Sequence, residues 1–117
     1  MAKADRLERM DARRLELEAD YRAALLAALQ VATSGKWGLF GHNDGDRAAR
    51  AAVAPTLAHL AEIGNEVDDL RRQLMMEPFE LQQQFLAARG PVSAHAPGEP
   101  RQAQAWLDRL AGEDGAR

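Results

Sequence analysis

Every apolar pattern longer than six residues in this chain has a helical period. A period near 3.6 gathers apolar side chains on one stripe of a helix, whereas a half-buried strand needs a period of two. The chain is therefore expected to be all-α: an antiparallel bundle of about four helices with a long N-terminal helix, and no strand. At 117 residues it reads as a single domain, because chains divide only well beyond roughly 200 residues.

Residues 3–33 read as the first helix. Leu7, Met10, Leu17, Tyr21, Leu25, Ala28, Leu29 and Ala32 form its apolar stripe, opposite Arg9, Arg13, Glu16 and Asp20. Its two halves differ. From Ala23 to Ala32 only Gln30 is polar, as expected for a helix surrounded by protein. Before Tyr21 the stripe is narrow and Arg14 interrupts it. Roughly thirty residues of helix extend about 45 Å, more than a small bundle needs. The first half is thus expected to overhang, offering Leu7, Met10, Arg14, Leu17 and Tyr21 to a partner. An antiparallel homodimer would bury both stripes and set each Arg14 near Glu18 or Asp11 of the other chain. The alternative is a second helix that runs straight through Pro55 and covers the first within one bundle.

Asn43, Asp44 or Asp46 can cap that second helix, since short acceptor side chains satisfy the orphan amides of a first turn. It is expected over 45–76, with a kink or restart at Pro55. Leu57, Leu60, Ile63, Gly64, Val67, Leu70 and Leu74 make its stripe, close to the 3.5-residue repeat of coiled-coil packing. A third helix is expected over 78–89 and a fourth over 99–111, begun by Pro78 and Pro100 and ended by Gly90 and Gly112. GPVSAHAPGEP, residues 90–100, reads as a loop.

Between the first two helices lies GKWGLFGHNDG, residues 35–45, which sets Trp37, Leu39 and Phe40 among glycines. Burying each large side chain is worth about 1.5–3 kcal/mol. Two readings stand: the aromatics plug one end of the bundle, folding over Ala27 and Val31, or Trp37 and Phe40 are exposed anchors for a partner. The W-G-L-F-G-H-N-D string resembles one found in small uncharacterised helical proteins of proteobacteria. That resemblance covers about ten residues, with a vaguer likeness around EPFELQQQFLAARG and APGEP, and it implies no activity.

Catalytic constellations are scarce. Gly35-Lys36 lacks the earlier glycine and the following Ser or Thr of a phosphate loop, since Gln30 and Trp37 stand there. HNDGD, residues 42–46, lacks the acid order of a calcium loop and has Ala51 where its glutamate should be. His42, His59 and His95 lie in separate segments without ligand spacing. Glu62, Glu66 and Asp69 share one side of a helix and resemble part of the magnesium-binding pattern of all-α MazG-type nucleotide pyrophosphohydrolases. That resemblance implies a magnesium-dependent nucleotide hydrolase and requires a second acidic helix, for which only Glu16 and Asp20 offer themselves. A solvated charged face is the simpler reading.

The remaining expectations come from totals. The net charge of −3, from 18 acidic and 15 basic residues mixed along the chain, offers no basic stripe for nucleic acid. No apolar run is long enough for a membrane span, the charged N-terminus is unlike a secretory signal, and cysteine is absent. No cofactor or metal is expected, and a cytoplasmic setting is. The leading functional expectation is a non-enzymatic helical interaction protein that self-associates as a homodimer and docks a further protein; the alternative is the magnesium-dependent hydrolase.

Overall fold

A 31-residue helix, α1 (Ala2–Ala32), forms the long axis of the molecule in the computed structural model. The structure describes residues 2–34, 39–40, 47–89 and 98–115. α2 (Arg47–Gln73), α3 (Glu80–Ala88) and α4 (Glu99–Gly115) complete an all-α bundle, and no strand occurs among the described residues. α2 and α4 are the helices packed most extensively on α1. Both run antiparallel to it. Arg13 reaches Glu66 while Val31 lies near Pro55, and Arg22 reaches Leu110 while Phe40 reaches Glu99. α3 returns alongside α1 from Phe79, which packs on Tyr21, to Arg89, whose Nε donates to the Leu39 carbonyl. The molecule measures 55 × 33 × 21 Å, its length set by α1.

The core follows the apolar stripes. Leu17, Tyr21, Leu25 and Leu29 from α1 meet Val53, Leu60 and Val67 from α2, Phe85 from α3 and Leu110 from α4. α2 is continuous through Pro55, with neither kink nor restart needed to describe it as one helix. Proline removes one donor and crowds the preceding turn, but Pro55 is exposed, so neither effect disturbs the core.

α2 stops three residues earlier than the expected Met76. Met75 takes φ 59°, the Met76 N–H donates to the Arg71 carbonyl at 2.8 Å and the Met75 N–H to the Arg72 carbonyl at 3.1 Å. This is a Schellman closure with methionine where glycine is usual. α3 starts at Glu80 rather than Pro78, because the Phe79 N–H donates to Asp68 Oδ1 at 2.7 Å and pins the chain to α2 just before the helix. α4 continues past Gly112 to Gly115. Glu113, in the added turn, pairs with Arg22 at 3.9 Å and Arg109 at 3.4 Å, which helps offset the glycine.

The expected overhang is shorter than its stripe. Leu17 and Tyr21 are buried within their own chain, because the end of α2 and the start of α3 reach back over them. Arg14 is also buried, and it pairs in its own chain with the two acids expected from a partner, Asp11 and Glu18. Those three residues are therefore corrected from interface to core. Residues 3–9 are exposed, Leu7 among them, and Met10 is half-buried.

Candidate interaction face

Four charged groups join the helices at the α2–α3 corner. Arg14 Nη1 and Arg71 Nε both donate to Glu18 Oε2 at 2.8 Å, and Arg14 Nε donates to Asp11 at 2.8 Å. Burial pushes the Glu18 carboxyl up, but the hydrogen bonds from Arg71 and Arg14 outweigh it and hold the group below its ordinary value. Burial likewise disfavours charged Arg14, and its bonds to Glu18 and Asp11 reverse that. Arg71 also donates to the Glu77 carbonyl and lies 5.6 Å from the Phe79 ring centre, tying the turn after α2 to the network. Beneath it, the Tyr21 hydroxyl is pushed up to about 12 by burial and the Asp68 charge. These groups are mutually satisfied, which is the signature of a structural knot rather than of a reactive site.

The carboxylates considered for magnesium do not converge. Glu62, Glu66 and Asp69 are all exposed on α2. Asp69 pairs with Arg72 at 3.0 Å, and Arg13 stands between Glu66 at 3.8 Å and Glu16 of α1 at 3.5 Å. Between the two acidic helices there is thus a guanidinium. Among the described residues no group of three His, Asp or Glu side chains is arranged to hold a metal ion. His59 is exposed, and His42 and His95 lie outside the described residues.

At Phe40 the core-plug reading holds, with a different floor from the one expected. Leu39 and Phe40 are fully buried. The Phe40 ring centre lies 5.9 Å from Phe85 and 6.0 Å from Trp106, and its N–H donates to Glu99 Oε1 at 3.0 Å. Phe40 is therefore corrected from candidate anchor to core. Trp37 lies outside the described residues, as do Asn43, Asp44 and Asp46. Because the plug sits against α3 and α4, Ala27 and Val31 are left uncovered, Val31 at 42% exposure.

That uncovered surface is the feature the sequence reading missed. Ala24, Ala27 and Val31 of α1 face Pro55, Thr56 and His59 of α2 across an apolar groove of about 370 Å³. The run 23–32 of α1 contains no Asp, Glu, Lys or Arg, nor does the run 51–61 of α2. Antiparallel packing lays these runs side by side, so the face is a charge-free window two helices wide. The same face turns charged toward the start of α1, where Arg13 pairs with Glu16 and Glu66, and Asp20 and Glu62 are exposed. A larger cleft of about 480 Å³, among α1, α3 and α4, is lined by ion-paired groups including Arg109 and Glu113. The signal for the window was present as the uncharged run after Arg22; only the direction of the plug was hidden. No described helix is long and apolar enough to cross a membrane. No protein family, curated protein or solved structure matches the chain.

Proposed function

We propose that this protein works by binding protein rather than by covalent chemistry: a helical interaction module, self-association included, that docks through the charge-free window of α1 and α2. One observation carries the reading. Charged residues make up 28% of the chain, yet the two facing runs that border the groove have none. Depletion of charge, rather than bulk hydrophobicity, is what distinguishes the centre of a protein interface from ordinary surface. The overhang proposed from the stripe supports the reading less, since only Leu7 and Met10 of its residues retain exposure.

The test compares the wild-type chain with Val31→Glu, which puts a charge at an exposed position inside the window, and with Ala105→Glu, at an exposed position on α4. Stoichiometric protein association, measured by native mass spectrometry, is expected to be lost in the first variant and kept in the second. The hydrolase built on Glu62, Glu66 and Asp69 makes the opposite forecast. Magnesium-dependent loss of nucleoside triphosphate, abolished by Glu66→Ala and untouched by Val31→Glu, would replace this proposal with that one.

A further inference from the structure

We infer that the occupant of the charge-free window is a basic amphipathic helix of another protein, with its apolar side over Ala27, Val31 and Pro55 and its Lys or Arg residues over Asp20 and Glu62. The inference rests on the interaction reading above and adds the chemistry of the partner. The window is uncharged at one end and acidic at the other. Seven residues along a helix return to nearly the same side. Asp20 therefore continues the line of Ala27 on α1, and Glu62 and Glu66 continue the lines of Pro55 and His59 on α2. Asp20 and Glu62 are exposed, and among the described residues no ion pair engages either. The base beside them, Arg13, is shared between Glu16 at 3.5 Å and Glu66 at 3.8 Å. Arg9, the next base outward on that side of α1, lies roughly 16 Å from Asp20 along the helix, beyond the screening length at physiological salt. At the opposite end the same lines on α2 reach only Ala48 and Ala52.

The groove selects a helix. Of the side chains that line it, only those of Thr56 and His59 can hydrogen-bond. An extended peptide would lay backbone N–H and C=O groups on apolar surface without partners, whereas a helix satisfies them internally. A third helix seated between two antiparallel ones also repeats the packing of the bundle itself. Charge then selects the sign. Unpaired acids at the edge of an apolar contact favour a partner with bases there and repel an acidic one. Nucleic acid and anionic membrane meet the same repulsion. Laid window on window, a second copy sets its acids against acids or, reversed, against Ala48 and Ala52, so it leaves Asp20 and Glu62 without counter-charge.

Two synthetic peptides of about 18 residues test this, both blocked at their ends and both with Ala and Leu along one helical side. One carries Lys in its last two turns and the other Glu in its first two, so that each charge suits its own helix dipole. Fluorescence anisotropy of the labelled peptides, titrated with the full chain, is expected to show the Lys peptide binding at least about tenfold more tightly than the Glu peptide. Val31→Glu should weaken that binding by about tenfold or more. The double variant Asp20→Lys with Glu62→Lys should reverse the preference. Glu8→Lys with Asp108→Lys, an equal change in net charge at exposed positions off this face, should alter the Lys peptide's affinity by less than about twofold. Circular dichroism of each variant verifies that helicity is kept. No binding of the Lys peptide up to about 1 mM overturns the inference, and so does a preference for Lys that survives reversal of Asp20 and Glu62. A dimer of the chain alone that Val31→Glu dissociates would give the window to a second copy and overturn it too. If both peptides bind equally and Val31→Glu removes both, the interaction reading stands and only the basic-helix assignment falls; if Val31→Glu changes neither, both fall.

Discussion

Replacing Gly64 by alanine sets two effects of opposite sign against each other. In an exposed helix interior the change stabilises by about 1 kcal/mol, because alanine is the better helix former. Gly64, however, is buried in α2, and a methyl group there would fall inside van der Waals contact with the side-chain amide of Gln82. Gln82 is only 4% exposed. With its amide nitrogen turned toward α2, it donates to the Gly64 carbonyl and to Asp68 Oδ2, each at 3.0 Å. Asp68 in turn accepts from the Phe79 N–H and pins the start of α3. Displacing the amide costs about 1–3 kcal/mol for each buried polar group left unsatisfied. Set against the propensity gain, Gly64→Ala should destabilise by about 1–3 kcal/mol, lowering the melting temperature by roughly 4 °C per kcal/mol in a domain of this size. Thermal unfolding followed by far-ultraviolet circular dichroism measures it. In a Gln82→Ala background the obstruction is gone, so the same substitution should be neutral or stabilising, with a coupling of about 2 kcal/mol or more across the cycle. A melting temperature that rises in the Gln82-containing chain would refute the steric account.

Phe40→Ala should cost about 3–5 kcal/mol, since the ring is fully buried against Phe85 and Trp106; denaturant unfolding measures it, and a loss below 1 kcal/mol would contradict the packing. Met75→Gly should stabilise by about 0.5–1 kcal/mol, because glycine adopts the positive φ at this exposed helix end without strain; an unchanged or lower melting temperature would argue against the Schellman closure. Glu18 is held below its ordinary pKa by Arg71 and Arg14 despite its burial, so its contribution to stability is full above the unfolded-state value of about 4.3 and fades as pH falls through the lower folded-state value. Stability curves of wild type and Glu18→Gln should therefore lie apart at pH 7 and converge in acid below about pH 4; a gap independent of pH would mean that the carboxylate charge is not what the arginines hold.

The sequence by itself determined the helices and most of the residues they bury. The periods of Leu17–Tyr21–Leu25 and Leu60–Ile63–Val67 can be satisfied only by helices with one apolar side, and those residues are the core. Element ends were less legible, because they depend on contacts between helices. Asp68 is an ordinary surface acid in the sequence, yet its bond to Phe79 moves the start of α3. Arg14 shows the limit most clearly. A charge interrupting an apolar stripe calls for an acidic partner, and i,i+3 and i,i+4 spacing placed Asp11 and Glu18 within reach on its own helix, but whether α2 arrived to cover it was a matter of tertiary reach. Only the fold decided that Arg71 completes the network from α2. Tertiary structure alone also chose which way the chain after α1 folds. By turning Leu39 and Phe40 onto α3 and α4, it buried the aromatic ring and left the uncharged side of α1 and α2 open. A periodicity fixes which side of a helix is apolar, but which neighbour covers each part of that side depends on loops that follow no period.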